Sequence, residues 1–395
     1  MTTAELALPR AHERTLSTAW WTVVTRFLLH GLIVSSWVSR IPAIQSELGL
    51  GNAELGLCLL GTAVGSVAAI PTTGWLIGQR GSKRVASLST VGFALALIGP
   101  AFAVGPITLF LALMLFGAMA GANDVSINAQ GIALEHAMAA PVMSRFHAMF
   151  SIGGMVGAAA GGLIAEHGVT PHAHLLAVSI FLACAAVITG PYLFEAHDEK
   201  SQHTQRMAVR HIPKVLFALA AVATCMFLSE GAMADWSGVY LKQTLHANHA
   251  LAAAAYAVFS CGMAIFRLLG DALTKRLGPV RTLRMGALVS AAGLTLALCS
   301  TSATGALPGF ALTGAGFSVV VPLAFAASGR VAGVPREFGI AMVSGSGYFG
   351  FLFGPPLIGL LAQATTLRVT LFLIVGLSLV ASLLAYAVDT TEAKA

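Results

Sequence analysis

The sequence predicts an all-α membrane protein of twelve transmembrane helices, and three observations carry that prediction. Of 395 residues, 57% are hydrophobic and 10% charged, against about 25% charged in an ordinary soluble domain. So few charges cannot cover a soluble globule of this length, and the mean hydropathy is +0.83. The apolar residues fall in unbroken runs of about 20, the length that crosses a bilayer as a helix, not in the alternating ten-residue segments of an outer-membrane barrel. Lys and Arg crowd into alternate loops, the pattern that sets the orientation of helical membrane proteins.

The runs occupy residues 18–41, 53–78, 86–104, 106–132, 146–166, 172–194, 213–236, 250–273, 281–300, 304–329, 338–363 and 367–388. The first follows a polar tail, residues 1–17. It is a full span and not the short apolar core of a cleavable signal peptide. Arg80, Lys83 and Arg84 separate the second and third runs, and Arg145 precedes the fifth. Lys275, Arg276, Arg281 and Arg284 mark the junction of the eighth and ninth, and Arg330 and Arg336 that of the tenth and eleventh. The longest polar stretch, 195–212, divides the chain into one six-helix bundle over 18–194 and a second over 213–388, with a tail at 389–395.

The tails and the loops on their side hold seventeen Lys and Arg; the opposite loops hold three, Arg40, Lys242 and Arg368. Both termini are therefore expected in the cytoplasm. The net charge of +6 comes from scarce acids and not from a basic face, which excludes nucleic acid as a partner. Five cysteines in apolar stretches, with no CxxC, make no disulfide framework. No P-loop, HExxH or nucleophile-elbow motif with triad partners occurs, so neither an enzyme, a cofactor nor ATP-driven pumping is expected. His172 and His174, with His167 nearby, are too sparse for a metal site.

The halves repeat weakly at an offset of 197: Gly81 with Gly278, Arg84 with Arg281, Gly117 with Gly314, Gly153 with Gly350, Gly157 with Gly354, and Gly162-Leu163 with Gly359-Leu360. Two parallel six-helix repeats suit a transporter that binds its cargo between them. At the second-to-third junction the chain reads Gly74-Trp-Leu-Ile-Gly78-Gln79-Arg80-Gly81-Ser-Lys83-Arg84. The corresponding stretch of the second half is Gly270-Asp271-Ala-Leu-Thr-Lys275-Arg276-Leu-Gly278. These resemble the loop signature G-x-L-x-D-R-x-G-R-K of the major facilitator superfamily. The first copy has Gly78 and Gln79 where the family has Asp and Arg; the second keeps Asp271 and Arg276. Three further stretches resemble the fucose-permease-like branch: Ser36-Trp37-Val-Ser-Arg40-Ile41-Pro42, Gly121-Ala-Asn123-Asp124-Val-Ser126-Ile-Asn128 and Glu230-Gly231-Ala-Met-Ala-Asp235-Trp236-Ser237. The resemblance implies the major facilitator fold in the bacterial inner membrane and alternating access about a midplane cavity. For the branch it implies proton-coupled sugar symport with an acid in span four, which Asp124 matches. In span five, Gly157-Ala158-Ala159-Ala160-Gly161-Gly162 lacks the proline usual in the family's antiporters.

Ionisable groups inside a bilayer are costly and mark candidate sites. Arg26 and Asp124 both lie about eight residues, or ~12 Å, inside the terminal-side ends of spans one and four. They are expected to face each other, with protonation of Asp124 weakening the pair. His30, one turn after Arg26, shares its face and is a proton-relay candidate. Glu230, in span seven, is a candidate for proton or substrate work. Asn123 and Asn128 carry the donors and acceptors that suit hydroxyl-rich ligands. Tyr348, and Trp236 with Tyr240, are candidate aromatic contacts, though for the last two an interfacial belt is the favoured reading. Arg84, Arg267, Asp271 and Arg276 form an expected cytoplasmic gate in which Asp271 pairs with a basic neighbour or a helix N-terminus. The glycines at 153, 157, 161, 350 and 354 predict close helix packing, and Pro355-Pro356 a kink. The expected protein is a monomeric secondary transporter taking up a small polar solute with protons. Efflux of an amphipathic compound is the alternative, and a membrane-embedded enzyme or sensor a remote one.

Overall fold

The computed structural model describes residues 3–140, 142–195 and 212–389. Most of the 195–212 linker and of the C-terminal tail lies outside the described residues. Among the described residues, twelve helices are long and apolar enough to span a membrane. They are α1 (Leu16–Glu47), α2 (Asn52–Arg80), α3 (Ser82–Ala101), α4 (Pro106–Met138), α5 (Met143–Glu166), α6 (Pro171–Tyr192), α7 (Lys214–Thr244), α8 (His249–Leu277), α9 (Pro279–Cys299), α10 (Ala303–Ser328), α11 (Arg336–Ala364) and α12 (Leu367–Val388). Helix continues upstream of α1 to Thr3, where the sequence predicts only a tail. α1 breaks at Ser39–Arg40 and resumes as a short turn with Pro42 near its start. α4 and α7 run past their predicted ends, because hydropathy sees only the hydrocarbon thickness and a helix need not stop there. Gly81 (φ 75°) and Gly278 (φ 79°) turn α2 into α3 and α8 into α9; both take left-handed backbone that a side chain resists.

The repeat is visible atom by atom. On α4 the Gly117 Cα lies against the Thr62 carbonyl of α2, and on α10 the Gly314 Cα lies against the Phe259 carbonyl of α8. Gly65 meets the Met114 carbonyl, and Gly262 the Ala311 carbonyl. Each residue of these pairs is offset from its counterpart by 197, the spacing of the sequence repeat. A Cβ at any of the four would overlap backbone, so only glycine permits these backbones to touch. The predicted ladder also holds: Gly153, Gly157 and Gly161 of α5 pack on Leu28, Ser35 and Ser39 of α1, and Gly350 of α11 packs on Thr224 of α7.

The halves meet along α2 with α11 and α5 with α8, and they meet unequally. At the end away from the termini, Gly56 of α2 abuts Pro355 and Gly359 of α11, and Gly162 of α5 abuts Ala253 of α8. Gln243 of α7 donates to Gln45 at 3.1 Å. Eighteen residues along α2 from Gly56 is Gly74; five full turns later, the same face meets nothing within 4 Å. Gly345 of α11 likewise faces open space. The bundle is therefore closed at the far end and open at the end that carries the termini.

Candidate functional site

α4 places Asn123 and Asp124 side by side in sequence but about 100° apart around the helix, and this separates their roles. Asn123 points into the first bundle, fully buried. Its Oδ1 accepts from Thr90 at 2.6 Å, and its amide lies 2.9 Å from His30 Nδ1. His30 is buried with it, its ring against Phe93 and Phe150. Asp124 points instead toward the space between the halves and is half-buried. Its carboxylate accepts from Asn128 at 3.1 Å. The Tyr348 hydroxyl of α11, in the other half, lies within electrostatic reach of Asp124.

From the second half, Glu230 of α7 pairs with Arg267 of α8 at 3.6 Å. Arg267 also crosses to the first half, donating to Ser151 Oγ at 2.8 Å and to the His147 carbonyl at 3.2 Å, both on α5. Ser260 and Tyr256, about two and three turns back along α8, continue this seam opposite Gly154. Asp235, half-buried, lies near Tyr256 and has no hydrogen-bond or ion-pair partner among the described residues. The interior between the halves therefore presents Asp124, Asn128 and Tyr348 on one side, and Glu230, Arg267 and Asp235 on the other.

Several expectations are corrected. Arg26 does not face Asp124: it is fully buried and donates to the Ala186 carbonyl of α6 at 2.7 Å, while its Nε and Nη1 have no partner among the described residues. Arg26 and His30 do share a face, as their spacing requires, but that face packs into the first bundle. Asn123 is sealed there too, one residue's rotation from the cavity. Trp236 is neither cavity wall nor interfacial belt but fully buried core, and Tyr240, equally buried, donates to the Leu298 carbonyl at 3.3 Å. Arg267 belongs to the central site and not to a terminal-side gate. Arg84, Asp271 and Arg276 are exposed and make no ion pair among the described residues, so the expected pairing of Asp271 with a basic neighbour is not seen. His174 accepts the Nε–H of Arg40 at 2.9 Å.

Sequence reasoning misses Ser151, His147 and Tyr256. The first two fall on α5 in register with the Gly154 contact face, at one-turn spacing, a signal that only the identity of the partner helix makes readable.

A family model described as Major Facilitator Superfamily matches residues 24–240 and 219–395. The chain belongs to the Major Facilitator Superfamily. This major facilitator protein is 34% identical over 343 residues to an uncharacterised MFS-type transporter of Yersinia pestis, covering 87% of this chain and 88% of the relative. It is 31% identical to membrane protein MosC of Rhizobium meliloti, covering 89% and 86%. Among solved structures, a mutant of the nucleoside transporter NupG superposes with a TM-score of 0.75 at 13% identity, over 94% of this chain and 100% of that one. A D-xylose-proton symporter superposes at 0.72 with 15% identity, over 95% and 99%. The chain is thus a multi-pass inner-membrane transporter and not an enzyme.

Proposed function

We propose that this transporter takes up a small hydroxylated solute, a sugar or a related metabolite, by symport with protons, and that it works as a monomer. The observation that carries the reading is the position of Arg267, held at once by Glu230 of its own half and by Ser151 and the His147 carbonyl of the other. A proton on Glu230 removes the guanidinium's one ion-pair partner among the described residues and changes how strongly it ties α8 to α5. A proton can in this way alter the contact between halves, as alternating access requires. Asp124 offers a second protonation site, on the opposite wall. Asn128 and Tyr348 supply the amide and hydroxyl that recognise solute hydroxyls. With the termini in the cytoplasm, the open end faces inward.

The named solutes of the two structural neighbours, a nucleoside and D-xylose, are hydroxyl-rich and define the first panel to test. Purified protein is screened by thermal shift against sugars, polyols, nucleosides, acids and amphipathic drugs at two pH values, since a ligand stabilises the state it binds. A hit is then followed into proteoliposomes with and without a pH gradient. Asp124→Asn and Glu230→Gln are expected to bind the hit but to lose gradient-driven accumulation. Full coupled uptake by both variants would defeat the reading. Efflux of an amphipathic compound is favoured by one feature, the aromatic cluster of Phe227 with Phe325, Tyr348 and Phe351. Stabilisation by drugs alone would select it.

A further inference from the structure

The α5/α8 seam holds a second charged contact, at its closed far end. Glu166, the last residue of α5, reaches across to the first turn of α8 in the opposite half. One carboxylate oxygen accepts from Asn248 Nδ2 at 3.2 Å and the other from the Ala250 backbone N–H at 3.3 Å. Asn248 is also the N-cap of its own helix: its Oδ1 accepts from the Leu251 N–H at 2.9 Å. The N-terminus of α8, a 29-residue helix, is thus capped twice, by its own Asn248 and by an anion from the other half. The far-end contacts described above are uncharged: Gln243 on Gln45, and glycine packing at Gly56 and Gly162.

From this geometry we propose that Glu166 is a state-setting residue: its carboxylate, seated on the α8 N-terminus, holds the far end shut and biases the transporter toward the state open at the terminal end. The carboxylate matches the partial positive charge and unpaired N–H groups of a helix start. Opening the far end separates these groups, and the seat exists only in the closed arrangement. A contact made in one state and absent from the other shifts the equilibrium by its full differential energy. Glu166 touches no group of the central site, so this inference stands whether or not the proposed solute and protons are right.

The test reads the far-end opening directly, at one pH and without solute. In a background with the five native cysteines replaced, Ala253→Cys places a thiol at a position only 4% exposed, against Gly162 across the seam. Its labelling rate by a bulky maleimide reports the population open at that end. Glu166→Ala is expected to raise the rate about fivefold, the effect of losing roughly one helix-terminus charge contact. Glu166→Gln, which keeps acceptor oxygen but no charge, should fall between. Asn248→Asp keeps the cap but sets a second anion against Glu166 and should raise the rate at least as much. Asn248→Ser keeps a capping oxygen, loses the donor to Glu166 and should raise it modestly. Unchanged labelling in Glu166→Ala and Asn248→Asp, with melting temperatures equal to the parent's, would overturn the proposal. A lower melting temperature with a rate that rises equally in Asn248→Ser and Asn248→Asp would also overturn it, by tracing the effect to the cap alone.

Discussion

Removing the charge of Glu230 isolates the central ion pair. Glu230 and Arg267 lie 3.6 Å apart, with side chains 23% and 14% exposed. At that separation and an effective dielectric of about 20, the attraction is about 4–5 kcal/mol. Part of it only offsets the desolvation of both groups, and partial exposure screens it further. Glu230→Gln keeps the shape but leaves the Arg267 guanidinium half-buried with only the neutral oxygens of Ser151 and His147. We expect it to destabilise the fold by about 2–3 kcal/mol, below the full cost of orphaning a wholly buried charge. Arg267→Met alone orphans Glu230 and should cost a similar amount. The double variant Glu230→Gln/Arg267→Met removes both charges and should recover most of the loss, because an apolar replacement of a buried pair is often neutral. Reversible unfolding in mixed micelles measures the three variants, and the coupling energy follows from the double-mutant cycle. If the single losses simply add, the two groups do not act as a pair, and the account of Arg267 as a shared tie between halves fails with them.

Four further outcomes follow from the packing and the site. Gly117→Ala and Gly314→Ala each drive a methyl into a facing carbonyl and should lower the melting temperature alike, at about 1–3 kcal/mol; Gly74→Ala, facing open space, should not, and unequal losses at 117 and 314 would break the equivalence of the repeats. Asn123→Ala strips Thr90 and His30 of their partner and should cost about 1–3 kcal/mol in unfolding experiments while leaving the affinity for a screened ligand unchanged. Asn128→Ala should do the reverse, weakening binding in a titration more than it lowers stability. Arg26→Met removes a buried guanidinium whose Nε and Nη1 lack partners and should melt no lower than the parent; a large drop in a thermal melt would reveal a partner that compensates Arg26.

The fold was legible in the sequence because its determinants are one-dimensional. Span length, charge asymmetry and a glycine repeat at a fixed offset each survive without knowledge of what packs on what. The offset of 197 reappears as matched glycine-on-carbonyl contacts in both halves, since the same glycine solves the same backbone approach twice. The site was legible only in composition. Asp124, Asn128, Glu230 and Tyr348 do reach the interior between the halves, but Asn123, His30, Arg26 and Trp236 do not, and nothing in a hydropathy profile distinguishes the groups. In an amphipathic helix of a soluble protein the polar face announces itself; in α4, apolar residues face both lipid and the bundle core, so a polar residue can point to either interior. Adjacent Asn123 and Asp124 are the clearest case: one closes the first bundle and the other opens onto the cavity.

The same ambiguity explains why the sequence groups Arg267 with Asp271. One turn apart near a predicted helix end, the two look like a surface pair, yet Asp271 is exposed and Arg267 turns inward. What decides between them is the small surface of α5, where Gly154 and Ser151 leave room for a long side chain to cross. A bundle whose halves must separate and rejoin cannot bury large interlocking side chains along that seam without fixing one state. Small residues let it slide, and a few charges, placed where they meet a partner in one arrangement only, set which arrangement is favoured. On this view Arg267 and Glu166 are equivalent devices at different depths of one seam. The first pairs a guanidinium with a carboxylate inside the bundle; the second seats a carboxylate on a helix end at the closed face.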